Sequence, residues 1–398
     1  MRGRWAILAA YGLLAAATQM LWITFAPITT QVAPVLHASV AAVGNLAAIF
    51  PLIYVVLALP TGRWLDRNFN LALRTGAVLT GAGGLLRLVA PHLFLWQLVA
   101  QVVIAAGQPL VLNAITKLAA RYFPAAERAL AIGLGTVALF LGIMIAMALG
   151  PVLFAAGGIE LVLLVQGLIG AAGAVTLAFG LGRPAAFSDP PSEGAGMWLP
   201  KEPLLWKLGG LLFVGMGIYN AFATWLQPIL ADFGAGAMAG NLLALMTLTG
   251  IVGAGVLPPI VAGKGWRRTT LTLAVAWTLL TALAIDWRQG TLWLSFWLGV
   301  EGLLLLASLP VVLDWSEVHV GAGQQGRAVG FLMLAGNLGG FVLVVAMTPL
   351  VAAPHLALGF VAVVAFLGLC VAWLLPRRQE AGAGLTAAIS EGPGGGVS

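Results

Sequence analysis

The chain consists almost entirely of long apolar segments separated by short turns, and this pattern constrains its fold more than any other feature. There are twelve such segments, and each is long enough to cross a bilayer, because a spanning helix needs about 20 apolar residues. The segments lie at about residues 5–32, 39–62, 71–91, 93–118, 129–155, 160–181, 204–231, 238–262, 269–286, 291–314, 328–350 and 354–375. Only 8% of the residues are charged, which is too few to cover the surface of a water-soluble protein. The residue alternation of a membrane β-barrel is missing. The sequence therefore predicts an all-α integral membrane protein with twelve transmembrane helices.

Basic residues are concentrated on one side of these predicted helices. If the N-terminus is cytoplasmic, seventeen of the nineteen Lys and Arg residues fall in cytoplasmic loops and tails, and the exceptions are Arg87 and Arg288. Because basic loops stay in the cytoplasm, we expect a multi-pass protein of the cell membrane with both termini cytoplasmic. Arg87 lies one turn from the outer boundary, so its long side chain is expected to reach the membrane surface.

The longest connection divides the segments six and six. The predicted units are an N-terminal six-helix bundle at 1–181, a cytoplasmic linker at 182–203, a C-terminal six-helix bundle at 204–376 and a disordered cytoplasmic tail at 377–398. The two bundles also repeat, since Pro109–Asn113 in the fourth segment resembles Pro310–Asp314 in the tenth. Such pseudo-repeats are typical of secondary transporters, which bind their substrate between the two repeats.

The loop after the second segment carries a motif. Gly62–Arg67 resembles the signature of the major facilitator superfamily, in which Asp and then Arg or Lys follow a glycine by four and five residues. The resemblance implies the major facilitator fold and transport by alternating access. It also implies a conformational latch at the inner surface, where an acidic group can face a helix N-terminus. The latch residues are predicted to be Gly62, Asp66, Arg67 and Arg128.

A narrower resemblance rests on two stretches. Trp22–Ile28 and Asn113–Pro124 resemble the feline leukaemia virus subgroup C receptor-related transporters, a family associated with haem, choline and ethanolamine. The resemblance implies that Trp22 is the aromatic residue that contacts substrate in the first segment. The family's glutamine in the fifth segment falls on Phe140, and its tyrosine in the seventh falls on Asn220.

The candidate substrate site follows from polar residues on otherwise apolar helices. Polar groups that face lipid are costly, so they are expected to face a cavity or a neighbouring helix. In the superfamily, the first, fourth, seventh and tenth segments line the central cavity, and here they carry the richest polar stripes. The predicted substrate-binding residues are Trp22, Gln101, Gln108, Asn220, Gln227 and Trp297. For the glutamines, hydrogen bonds that tie helices together are an equal alternative.

One carboxylate is predicted to lie deep in the membrane. Glu301 follows Thr291 by ten residues, which places it about 15 Å along the helix. No Lys or Arg lies deep in the first, fourth or seventh segment to pair with it. We therefore expect Glu301 to couple transport to protons or sodium ions, or to bind a cationic substrate. The alternative is a protonated glutamate that bonds to a neighbouring helix.

Together these features predict a secondary active transporter for a small organic solute. Aromatic faces attract quaternary ammonium groups, which favours a cationic or zwitterionic substrate. The sequence lacks a phosphate-binding GxxxxGK[ST] loop and a catalytic cluster, so we expect no enzyme activity, no cofactor, no metal and no nucleic-acid partner. The protein is expected to act as a monomer in the bilayer. An exporter of hydrophobic compounds and a transport-dead membrane receptor or sensor remain the alternatives.

Overall fold

In the computed structural model, the residues that the structure describes are 2–182, 184–187, 202–320 and 325–376, and every regular element among them is helical. The spans of the first half are span 1 Arg2–Trp22, span 2 Ile49–Arg67, span 3 Phe69–Leu86, span 4 Phe94–Leu112, span 5 at 125–156 and span 6 at 159–180. The spans of the second half are span 7 Pro203–Asp232, span 8 Ala239–Lys264, span 9 Arg267–Trp287, span 10 Thr291–Val320, span 11 Gln325–Met347 and span 12 Pro354–Trp373. The predicted all-α membrane fold is confirmed. Most of the predicted linker and all of the predicted tail lie outside the described residues.

Ten helices of the described chain are long and apolar enough to cross a membrane, and the longest of them contains two spans. Leu130–Gly180 has 51 residues, more than twice the length that one crossing needs. Its backbone leaves the helical conformation at Gly157 and Gly158, and Gly158 has a φ of 65°. This left-handed conformation favours glycine, so the Gly157–Gly158 pair marks the turn between spans 5 and 6.

Span 3 completes the set of twelve, although it is less apolar than the others. It lies antiparallel to span 4 along its length. A Cβ atom placed on Gly76 would lie 2.8 Å from Leu110, and one placed on Gly83 would lie 2.6 Å from Ile104. These glycines let the two helices approach closely, as small residues do in membrane bundles.

The first apolar segment is interrupted after span 1. The helix ends at Trp22, and the chain continues through the 3-10 turn Ala26–Ile28 and the short helices Thr29–Val35 and Val40–Asn45 before span 2. Pro27, within the turn, has no backbone N–H and disfavours a helical residue before it. The interruption leaves Trp22 at the end of a helix, in the middle of the protein.

The two halves are joined at one face, which we call the far face. Thr30 donates its backbone N–H to Gln227 Oε1 at 3.1 Å, and Gln227 Nε2 donates to Thr30 Oγ1 at 2.7 Å. The hydroxyl of Thr348 donates to Asn45 Oδ1 at 2.9 Å. These three hydrogen bonds connect the first half to the second and close the far face.

Close packing accompanies these hydrogen bonds. The ring of Trp225 lies so near Gly44 that a Cβ on Gly44 would come within 2.1 Å of it. A Cβ on Gly240 would lie 2.5 Å from the carbonyl of Met147 in the other half. Glycine is therefore required at these contacts if the far face is to close.

The opposite face, which we call the basic face, is different. Its ion pairs lie within one half each, at Arg4–Glu127, Lys117–Asp66 and Arg267–Asp314. No hydrogen bond or ion pair among the described residues of this face joins the two halves. A Cβ on Gly62 or Gly133 would meet no atom within 4 Å. The space between the halves is therefore closed at the far face and open toward the basic face.

Candidate substrate site

A central cavity lies between the halves. It is lined by spans 1, 2, 4 and 5 of the first half and by spans 7, 9, 10 and 11 of the second. The cavity has a volume of about 170 Å³, whereas one water molecule needs about 10–15 Å³. The cavity can therefore hold a small organic molecule. None of the described side chains that line it is charged. Its polar members are Gln19, Gln108, Tyr219, Asn220, Ser308 and Asn337.

Trp22 presents an aromatic surface to this cavity. Its indole N–H is already used, because Nε1 donates to the carbonyl of Ala47 at 2.8 Å. The ring of Phe50 lies beside it, with 6.2 Å between the ring centroids. Trp22 can therefore offer its ring, but not a hydrogen-bond donor, to a bound molecule.

The amide side chains of the cavity offer both acceptor oxygens and N–H donors. Asn220 Nδ2 donates to Met216 O at 2.7 Å, and Asn337 Nδ2 donates to Met333 O at 2.9 Å. Each of these amides thus uses one of its two N–H groups within its own helix, which leaves its oxygen and its second N–H for a ligand. Gln108 Oε1 is buried and has no partner among the described residues. A molecule that carries O–H or N–H groups, or a positive charge, would complement these oxygens.

Gln101 does not lie in the cavity. It is fully buried within the first half, where Nε2 donates to the carbonyls of Trp22 and Leu46 at 3.0 Å each and Oε1 accepts from Arg87. It precedes Gln108 by two helical turns on the same face, but at that depth this face of span 4 meets the turn between spans 1 and 2. The prediction that both glutamines face one cavity is wrong for Gln101.

Gln227 lies beyond the closed end of the cavity. It follows Asn220 by seven residues, about 10 Å along span 7, and it bonds to Thr30 at the far face. The structure therefore places it in the contact that joins the two halves. This corrects the prediction that Gln227 lines the cavity.

Trp297 and Glu301 share the side of span 10 that carries Leu305 and Ser308, but they lie farther toward the far face than the residues that line the cavity. Trp297 stacks on Trp277 of span 9, with 4.5 Å between the ring centroids. Glu301 is 0% exposed and turns toward the same helix. The hydroxyl of Thr278 lies 2.6 Å from Glu301 Oε1, and the hydroxyl of Thr281 donates to Oε2 at 3.2 Å. The prediction that Trp297 and Glu301 contact the substrate is wrong for this conformation, because both lie beyond the cavity and pack against span 9.

The predicted latch residues all lie on the basic face, but they do not reach the second half. Asp66 Oδ1 pairs with Lys117 Nζ at 2.6 Å within the first half. Arg128 donates to the carbonyls of Phe123 and Ala120, both at 3.2 Å. Gly62 faces open space and Arg67 is exposed. Asp66 and Arg128 thus hold the basic ends of spans 2 and 5 against the segment that follows span 4.

Several cavity residues were not predicted from the sequence. Phe50 lies beside Trp22 at the interrupted tip of span 1. In the sequence it is one apolar residue among many in its segment, so no local pattern identifies it as a cavity residue. Tyr219 directly precedes Asn220, so its identity as a polar aromatic residue in the seventh segment was a usable signal. Asn337, an amide within an apolar segment, is a usable signal too, although the glycines that follow it, Gly339 and Gly340, favour close helix packing over a substrate contact.

Two six-span bundles around a central cavity that is closed at one face define a membrane transporter for solutes. The chain belongs to the major facilitator superfamily, because the sequence model of the Major Facilitator Superfamily matches residues 7–343. Its family consists of membrane transporters rather than enzymes.

Sequence relatives include two vertebrate proteins named solute carrier family 49 member A3. The chain is 33% identical to that of Danio rerio over 280 residues, which is 64% of this chain and 58% of that protein. It is 27% identical to that of Xenopus tropicalis over 374 residues, which is 86% of this chain and 77% of that protein. The chain therefore spans a little over half of the first relative and three quarters of the second.

Solved structures share the fold at low sequence identity. A bacterial homologue of the human lysosomal transporter Spinster, in an inward-facing and occupied conformation, has a TM-score of 0.70 and 17% identity, over 92% of this chain and 96% of that chain. An auto-inhibited peptide transporter of the POT family has a TM-score of 0.71 and 13% identity, over 94% of this chain and 98% of that chain. At these identities the likeness concerns the fold alone.

Proposed function

We propose that the chain is a secondary active transporter that moves a small organic cation or zwitterion by alternating access. The observation that carries this proposal is the composition of the cavity, where the ring of Trp22 lies among uncharged amide side chains and no described side chain is charged. A weakly hydrated cation such as a quaternary ammonium group needs no carboxylate, because an aromatic face attracts it. An anionic substrate would find no positive partner among the described lining residues.

The relatives support a narrower family assignment. We propose that the chain is one of the feline leukaemia virus subgroup C receptor-related transporters, the family that its Trp22–Ile28 and Asn113–Pro124 stretches resemble. The similarity to solute carrier family 49 member A3 in two vertebrates supports this assignment. Tyr219 also lines the cavity, one residue before Asn220, the position on which that family's tyrosine falls.

The test compares two ligands of the same shape on the purified protein. Choline carries a quaternary nitrogen, and 3,3-dimethylbutan-1-ol carries a neutral carbon in its place. We expect choline to bind more tightly, and we expect Trp22→Leu to weaken choline binding about tenfold while Trp22→Phe keeps most of it. Isothermal titration calorimetry measures the affinities of both ligands for the unmodified protein and of choline for the two variants. Equal losses in the two variants would show that Trp22 serves packing only.

An exporter of hydrophobic compounds is the second candidate, because most of the cavity lining is aliphatic or aromatic. The same ligand pair separates the candidates. If the neutral isostere binds as well as choline, charge plays no part in recognition and the hydrophobic exporter is the better account.

We also propose that Glu301 couples transport to protons. Support comes from its surroundings, since the hydroxyls of Thr278 and Thr281 can donate to a carboxylate or accept from a carboxylic acid. No cationic side chain of the described chain contacts it. In proteoliposomes, Glu301→Gln should abolish accumulation driven by a pH gradient and spare exchange of substrate, because it keeps the hydrogen bonds but cannot titrate. Unchanged pH-driven uptake would leave Glu301 as a link between spans 9 and 10.

The orientation and the assembly state belong to the proposal as well. We propose a monomer in the cell membrane with both termini in the cytoplasm, because seventeen of the nineteen basic residues then lie on the cytoplasmic side. The cavity, which opens toward the basic face, would then be open to the cytoplasm in the conformation described above.

A further inference from the structure

Arg87 is a fully buried cation in the first half of the protein. Its side chain is 0% exposed at the far end of span 3, although its position predicts a side chain that reaches the surface. One guanidinium nitrogen donates to Thr24 Oγ1 at 2.6 Å, and the other donates to Leu21 O at 3.0 Å and to Gln101 Oε1. No acidic side chain contacts it among the described residues. Burying an arginine this way is costly, so a specific arrangement must depend on it.

What Arg87 orders is the amide of Gln101. Because the guanidinium holds the amide oxygen, the NH₂ group must point the other way, toward the interrupted tip of span 1. There it donates to the carbonyl of Trp22, at the end of span 1, and to the carbonyl of Leu46, in the turn that leads into span 2. The carbonyl of Trp22 is at a helix end, and the carbonyl of Leu46 also accepts the backbone N–H of Ile49, so this amide joins two chain segments.

Both segments carry functional contacts on the neighbouring residues. Beside Leu46, the carbonyl of Ala47 accepts the indole N–H of Trp22 and so sets its ring in the cavity. On the other side of Leu46, Asn45 accepts the hydrogen bond from Thr348 of the second half. One amide group thus lies between the aromatic ring of the candidate substrate site and the contact that closes the far face.

We propose that Arg87, through Gln101, is a positioning residue that fixes Trp22 in the cavity and Asn45 at the far face together. A change in the position of the Trp22 ring then alters closure of the far face, and opening of the far face alters the position of the ring. The part that concerns substrate rests on the proposed function, whereas the part that concerns closure does not.

The test measures closure of the far face without a ligand. Asn45→Cys and Thr348→Cys in a Cys370→Ser background form a disulfide only when the far face is closed, and the yield under a mild oxidant reports it. Gln101→Glu keeps a partner for Arg87 but removes the NH₂ donor. Gln97→Glu is the matched control, since Gln97 is equally buried on span 4 but donates to the carbonyls of Arg87 and Ala90.

We expect Gln101→Glu to lower the rate of disulfide formation about tenfold relative to Gln97→Glu. Equal rates in the two variants would overturn the proposal. The double variant Arg87→Met, Gln101→Met removes both side chains, which avoids an unpaired buried charge, and it should show the same loss. A normal rate in this double variant would also overturn it.

Choline binding supplies the second readout. Gln101→Glu should weaken it, and the losses from Gln101→Glu and Trp22→Leu should not add in the combined variant, because both act through one ring. Additive losses would contradict the positioning role. If the unmodified protein does not bind choline while Gln101→Glu still slows disulfide formation, the proposed substrate fails and the link to the far face stands.

Discussion

At the scale of single residues, Gln108 gives the most specific prediction about substrate recognition. Its Oε1 is buried without a partner, and an unsatisfied buried acceptor costs about 1–3 kcal/mol. Once the amide turns this oxygen into the cavity, a substrate hydroxyl that donates to it would recover that cost in the bound state. Gln108→Met has a similar shape and no acceptor, so we expect it to raise the melting temperature of the empty protein.

The same variant should separate two ligands that differ by one hydroxyl. Choline should lose about five- to tenfold in affinity for Gln108→Met, whereas ethyltrimethylammonium, which has no hydroxyl, should bind as before. Calorimetry on both ligands measures this, with Asn337→Leu as a second cavity variant for comparison. An equal loss for both ligands would assign Gln108 to packing of the cavity wall.

The residues that sequence reasoning placed correctly in the cavity are Trp22, Gln108 and Asn220. Helical spacing shows which side chains share a face, but not what that face meets at each depth. Gln101 shares the face of Gln108, yet its partner is Arg87, a residue expected to reach the membrane surface. Where the partner of a polar group comes from another span, spacing within one span cannot identify it.

At the scale of helices, span boundaries follow from hydropathy, whereas interruptions within apolar sequence do not. Span 1 ends at Trp22 inside a continuous apolar segment. Its end depends on Pro27 and on the hydrogen bond that Gln101, on another helix, donates to the carbonyl of Trp22. The turn at Gly157–Gly158, by contrast, lies between the predicted segments 129–155 and 160–181, because glycines mark this boundary in the sequence. Local sequence determines such turns, and tertiary contacts determine the interrupted tip.

Span 2 gives a prediction about the change of conformation. Pro51 contacts Gly340 of span 11 near the far face, and Gly62 lies eleven residues later, three turns along the same side of the helix, in open space. When the basic face closes, the space beside Gly62 should be filled by span 11. Gly62→Leu should therefore leave ligand affinity and far-face closure unchanged and slow substrate exchange at least tenfold.

Exchange of labelled substrate in proteoliposomes measures this effect, and Gly62→Ala is the smaller control. Gly44→Ala should hinder closure of the other face, the far face, because its added Cβ would lie 2.1 Å from the ring of Trp225. Normal exchange by Gly62→Leu would mean that span 2 does not approach span 11 at this depth during transport.

At the scale of the whole molecule, the charge distribution and the open face coincide. The halves separate on the face that carries most of the basic residues, and they join at the opposite face through Thr30, Gln227, Asn45 and Thr348. This arrangement was not predictable from the sequence, because a transporter visits more than one conformation and the sequence encodes all of them. The orientation in the membrane, by contrast, is a prediction that the sequence makes directly.

That prediction can be tested with impermeant thiol reagents on intact cells. In a Cys370→Ser background, Ser192→Cys and Ser398→Cys should be labelled only after permeabilisation, because the positive-inside rule places both in the cytoplasm. Arg288→Cys is exposed on the far face and should be labelled on intact cells. Asn337→Cys lines the cavity, which opens toward the basic face, so it should react when reagent is supplied from the cytoplasmic side. Labelling of Ser398→Cys from outside, together with protection of Arg288→Cys, would reverse the orientation, and the described conformation would then open to the exterior.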